Sequence, residues 1–143
     1  MQRSTTSPDA FLASLPDEVR EDMVALDAAL ADAFAGDERV LWEGAFWGGT
    51  QQHIIGYGAY RYVGRSGASG EWFVVGLAAQ KSYLSIYVNA NDDGAYLSET
   101  YGPRLGKVKA KRANIQLKRA SDVDLAVLRE MAARARELVA SAG

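Results

Sequence analysis

Three groups of side chains in this sequence could do chemistry. Lys107, Lys109 and Lys111 alternate, so an extended backbone puts their ammonium groups on one side, ~7 Å from one to the next, a spacing suited to a carboxylate or phosphate. In an unbroken extension they share a face with Ala113, Ile115 and Leu117. Asp17, Glu21 and Asp22 fall within one and a half turns of a predicted helix and offer hard oxygen ligands to iron. Acids at a helix start are also what its dipole favours, so no metal site is assigned to them. The third group is Gly56, Gly58 and Gly76 with Tyr60, Tyr62, Trp72 and Tyr87, which could form a bare floor fenced by rings.

Other chemistries lack parts. There is one histidine, His53, and no cysteine, which excludes a thiol nucleophile, an iron–sulfur cluster and a Cys-based zinc site. His53 has no Gly-x-Ser-x-Gly elbow to serve. Gly56-Tyr57-Gly58 is no dinucleotide fingerprint, because a strand continues where a helix should begin. No catalytic residue and no cofactor are therefore assigned, and the chain is read as non-enzymatic.

The positioning elements follow from periodicity. Pro8 opens a short helical turn, and a longer helix starts after Pro16 with Val19, Met23, Leu26, Leu30 and Phe34 on one stripe. Ser121 reads as the N-cap of a last helix, with Asp124 three residues on and Leu125, Leu128, Ala132, Ala135 and Val139 facing inward. Between them the period is two: Ile54 to Val63, Trp72 to Ala79, Tyr83 to Asn89 and Ala113 to Leu117 read as strands, and Val40 to Trp42 as an edge strand. Asp92 to Thr100 reads as a short helix. The order predicts one α+β domain over residues 1–143, its antiparallel sheet covered by the terminal helices on one face, with residues 1–7 disordered.

Register then sorts the side chains. A turn at Gln80-Lys81 that pairs Ala79 with Ser82 puts Phe73, Val75 and Leu77 opposite Val88, Ile86 and Leu84, an apolar face for the helices. Ile55, Tyr57 and Ala59 join it. The reverse face holds Gly56, Gly58, Tyr60, Tyr62, Trp72, Gly76, Ser85 and Tyr87, with Lys107 and Lys109 at its mouth. These ten residues are the candidate binding site, for a small anionic or aromatic ligand. Left uncovered, the same face would suit a homodimer.

Phe11 to Pro16, Phe46-Trp47-Gly48, Ile54 to Tyr62, Glu71-Trp72-Phe73, Lys81 to Tyr87, Leu105 to Lys109 and Ser121 to Asp124 form a familiar series in order and spacing. Together they resemble the YdhG-like domain, a bacterial family of unknown function, from Phe11 to Glu137. The resemblance implies an α+β fold in cytoplasmic proteins with no established reaction. Some relatives are described as frataxin-like iron chaperones with an acidic helix, which makes iron binding on the first long helix the alternative function. The chain departs from the family by inserting Gly49 to His53, and by Lys111-Arg112-Ala113 where a Gly-Lys-Ser-like step is expected.

Charge is asymmetric. Residues 1–40 carry nine acids against three arginines, whereas residues 103–119 carry seven cations and no acid. A pI near 5.4 opposes nucleic-acid binding despite that basic segment. No apolar run reaches the ~20 residues of a membrane span, and no export-type segment opens the sequence, so a cytoplasmic location is expected.

Overall fold

The computed structural model describes residues 2–46, 50–63, 67 and 69–142. A strand β1 (Gln2–Arg3) precedes helices α1 (Pro8–Ala13) and α2 (Asp17–Ala33). Strands β2 (Arg39–Phe46), β3 (Thr50–Tyr57), β4 (Tyr60–Val63), β5 (Ser69–Trp72), β6 (Val75–Ala79) and β7 (Leu84–Val88) follow. Next come the small pair β8 (Asn91–Asp92) and β9 (Ala95–Tyr96), then α3 (Leu97–Leu105), β10 (Lys109–Lys111), β11 (Asn114–Leu117), a 3-10 turn (Ala120–Asp122) and α4 (Leu125–Ala142). The fold is α+β. Seven antiparallel strands run in the order β1-β2-β3-β6-β7-β11-β10, while β4 and β5 form a separate two-stranded arm. No helix among the described residues is long and apolar enough to cross a membrane.

One face of the sheet carries the main core. Leu41, Ile55, Tyr57, Val75, Leu77, Leu84, Ile86, Val88, Ile115 and Leu117 pack there with Met23, Leu26 and Leu30 of α2 and Leu128, Met131 and Ala132 of α4. One expectation at the start of α4 is corrected. The N-cap of α4 is Asp124, whose Oδ1 accepts from the backbone N–H of Ala126 and Val127 at 3.0 and 3.3 Å, whereas Ser121 lies in the 3-10 turn. Gln2 and Arg3 pair with Glu43 and Trp42.

The predicted strand faces hold for β6, β7 and the paired part of β3, but the β6–β7 register moves. Val75 pairs with Val88 and Ala79 with Leu84, because the connection spans Gln80 to Tyr83, closed by Gln80 N–H on Tyr83 O at 2.8 Å. This shift of two residues leaves the side chains of β6 and β7 on their expected faces. β2 is no edge strand, because it lies between β1 and β3. Thr50 to His53 extend β3 along Glu43 to Phe46, while Gly49, the first residue of the expected insertion, lies outside the described residues. The expected helix from Asp92 starts only at Leu97, after the β8–β9 turn.

Candidate functional site

The expected glycine floor is not bare. Gly56 and Gly76 are Cα partners on the outer face, away from the helices, as the alternation predicts. A Cβ at Gly56 would lie 2.7 Å from both Phe73 Cβ and Trp42 Nε1, and one at Gly76 would lie 2.5 Å from Phe73 Cε1. Phe73 and Trp42 therefore sit directly on the two glycines, in a small outer core with Ile54 and Ala78. Trp72 adds to it at ring distances of 5.3 Å from Trp42 and 4.5 Å from Phe73. Arg3 lies over the Trp42 ring at 4.8 Å, held by Glu38 and by Glu71. Phe46 and Trp47, which could also have filled the depression, have side chains outside the described residues.

The cause is an interruption of the ladder. Tyr57 pairs with Val75 and Tyr60 with Trp72, so Gly58-Ala59 and Phe73-Val74 stand unpaired between two ladders. Gly58 adopts φ +72°, a left-handed conformation that glycine accepts readily, and its N–H reaches Glu38 O at 2.8 Å. Across from it, Asn89 holds the strand break by donating from Nδ2 to Phe73 O at 3.0 Å. Phe73 and Val74 consequently exchange faces: Phe73 joins the outer core and Val74 the main one.

That exchange disperses the expected site. Gly58 faces Phe34 and Val74 and, with Tyr60, lines a separate cavity beside α2 and α4. Tyr62 pairs with Gly70, and its side chain lies outside the described residues. Trp72 and Tyr87 line an outer-face cavity of about 350 Å³ with Phe73, Asn89, Arg112, Ala113 and Asn114. Ser85 is buried on the same strand face as Tyr87. Burial raises the pKa of the Tyr87 hydroxyl, which accepts from Gln80 Nε2 at 3.1 Å.

Lys107 and Lys109 meet in another cavity of about 600 Å³, with Lys118, Ser82, Tyr83, Val108, Gln116 and Leu117. The lysines do not share the face of Ile115 and Leu117, as an unbroken strand would require. The chain turns at Arg112-Ala113, with Ala113 at φ +53°, so that Lys109 pairs with Gln116 and Lys111 with Asn114. Because Gln116 pairs in turn with Ser85 and Asn114 with Tyr87, Lys109 and Lys111 belong to the outer face.

The cleft is anchored on three sides. Gly106 at φ +122° lets the chain pass against Asp122, whose carbonyl accepts from Lys107 N–H at 2.8 Å. Asp124 N–H donates to Leu105 O at 2.7 Å. Behind them Asp22 is buried, accepting from Ala120 N–H at 3.0 Å and from Arg119 Nε at 2.7 Å. Both Asp22 oxygens are thus engaged, while Asp17 pairs with Arg20. The three acids do not converge, and no group of three metal-ligating side chains occurs among the described residues.

Charge pairing sets most of the arginines apart from the lysines. Arg3, Arg20, Arg39, Arg61, Arg104, Arg119, Arg129, Arg134 and Arg136 each face a carboxylate. Lys107, Lys109, Lys111, Arg112 and Lys118 are exposed and make no ion pair among the described residues. Asp122 lines the cleft, but its Oδ2 accepts from Arg119 N–H at 3.1 Å. Sequence reasoning missed Lys118, Tyr83 and Gln116 as neighbours of the lysines, since only the β10–β11 turn brings them together.

Comparison with family models, with curated proteins and with solved structures returned no match.

Proposed function

We propose that this chain is a non-enzymatic binding or carrier module for a small anionic ligand, held in the cleft of Lys107, Lys109 and Lys118. The observation that carries the reading is the concentration of unpaired positive charge around an apolar lining of Val108, Leu117 and Tyr83. The three ammonium groups that line the cleft repel one another, and an anion relieves that repulsion while the apolar wall limits competing water. Lysine suits the task as a point charge that adapts to carboxylate or phosphate oxygens. The bonds of Lys107 and Asp124 to the opposite chain hold the cleft before any ligand arrives, which reduces the ordering cost of binding. Membership in the YdhG-like family belongs to the same proposal, supported by the motif series and by the α+β fold.

Calorimetric titration with inorganic pyrophosphate at low ionic strength tests the reading. Saturable binding is expected, weakening as salt rises, with about a tenfold or greater loss in the Lys107→Ala/Lys109→Ala protein. Lys81→Ala, an exposed lysine outside the cleft, is expected to bind as the parent does. A flat trace for the parent, or equal losses in both variants, overturns it.

A further inference from the structure

We infer that the ligand is a planar heteroaromatic ring with a polyanionic tail, of the nucleoside diphosphate class, lying along the outer face of β11. The inference rests on the lysine cleft as the anion site and adds a second half to it. Two residues along the same strand face, about 7 Å from Gln116, Asn114 opens the aromatic cavity. Lys109 and Lys111 are the Cα partners of Gln116 and Asn114, so the lysine row runs from one cavity to the other. The spacing suits a diphosphate followed by a sugar and a ring.

The aromatic cavity has the features such a ring needs. Trp72 and Tyr87 supply flat apolar walls, and a volume of about 350 Å³ admits a fused bicyclic ring. Asn114 Oδ1 is buried and has no hydrogen-bond partner. An acceptor left in that state costs stability that a ligand N–H donor would recover. Asn89, by contrast, is already committed through its Nδ2 to Phe73 O. Arg112, exposed and without an ion pair among the described residues, adds a cation to the wall of this cavity. An exocyclic amine meets the requirement at Asn114, and bound phosphates meet that of the lysines.

Parallel calorimetric titrations of the full chain with ADP and with pyrophosphate test this. ADP is expected to bind about tenfold or more tightly than pyrophosphate, the gain coming from stacking and the Asn114 contact. Asn114→Ala is expected to remove part of that gain, weakening ADP several-fold, and to leave pyrophosphate binding unchanged. Arg112→Ala, at an exposed position where folding is not at stake, is expected to weaken ADP several-fold. If pyrophosphate binds and ADP binds no more tightly, this inference fails while the anion cleft stands. Failure of both ligands removes the anion cleft as well. Equal loss of both ligands in Asn114→Ala also overturns the inference, because it marks a general structural effect.

Discussion

Replacing Gly56 with alanine separates a covered floor from an open one by the sign of a stability change. The new Cβ would lie 2.7 Å from Phe73 Cβ and 2.7 Å from Trp42 Nε1. Phe73 Cβ is one bond from the main chain and cannot rotate away, so backbone must shift. Overpacking of this kind costs about 1–3 kcal/mol. Against that, alanine is favoured over glycine within a strand by about 0.5–1 kcal/mol. A 2.7 Å contact with an immovable Cβ puts the cost in the upper half of that range, so the net expectation is a loss of about 1–2 kcal/mol. With a urea slope of about 2 kcal/mol/M for a chain of this size, the unfolding midpoint should fall by about 0.5–1 M. An open floor predicts the reverse, a midpoint unchanged or raised. Gly76→Ala should behave alike, since its Cβ would lie 2.5 Å from Phe73 Cε1 and 2.8 Å from Ile54 Cγ2. Its cost should shrink in a Phe73→Ala background, where the blocking ring is gone. A Gly56→Ala protein as stable as the parent would refute the packing described for this face.

Further outcomes follow from the buried polar anchors. Asp27 accepts from Tyr57 Oη at 2.6 Å and from Arg39 Nε and Nη2 at 3.0 and 2.7 Å, so Asp27→Ala should cost about 3 kcal/mol or more by chemical unfolding. Tyr57→Phe, which removes one bond to that carboxylate, should cost about 1.5–3 kcal/mol. Burial, and then the Asp27 charge, hold the Tyr57 hydroxyl well above its ordinary value of 10.0. The unfolded chain therefore loses this proton first. The stability this group contributes is intact at neutral pH and declines as pH rises above about 10, and in Tyr57→Phe that decline should be shallower. Gly106→Ala places a Cβ against the Asp122 carbonyl at φ +122°, and should both lower the melting temperature and weaken pyrophosphate binding.

Alternation made much of the sheet legible. Val75, Leu77, Leu84, Ile86 and Val88 reach the main core because period two survives a register shift of two. The exchange of Phe73 and Val74 was hidden, because both are apolar strand formers and nothing local marks which one turns outward. Its traces were Gly58, able to take a positive φ, and Asn89, able to hold a broken strand by its side chain. The lysine face was misread for a related reason. Arg112-Ala113 lacks the Gly or Asn that usually announces a tight turn, yet Ala113 adopts φ +53°. Asp22 did carry a signal. It precedes Leu26 and Ala29 by four and seven residues on the buried stripe of α2, where an acid needs partners of its own.

Amide chemical shifts followed during a pyrophosphate titration of the full chain test the binding role most directly. Saturable shifts are predicted at Lys107, Val108 and Lys109 and across the strand at Gln116 to Lys118, with the α2 acids Asp17 and Glu21 unmoved. Shifts absent from those residues, or spread evenly over the cations of the whole surface, would contradict it.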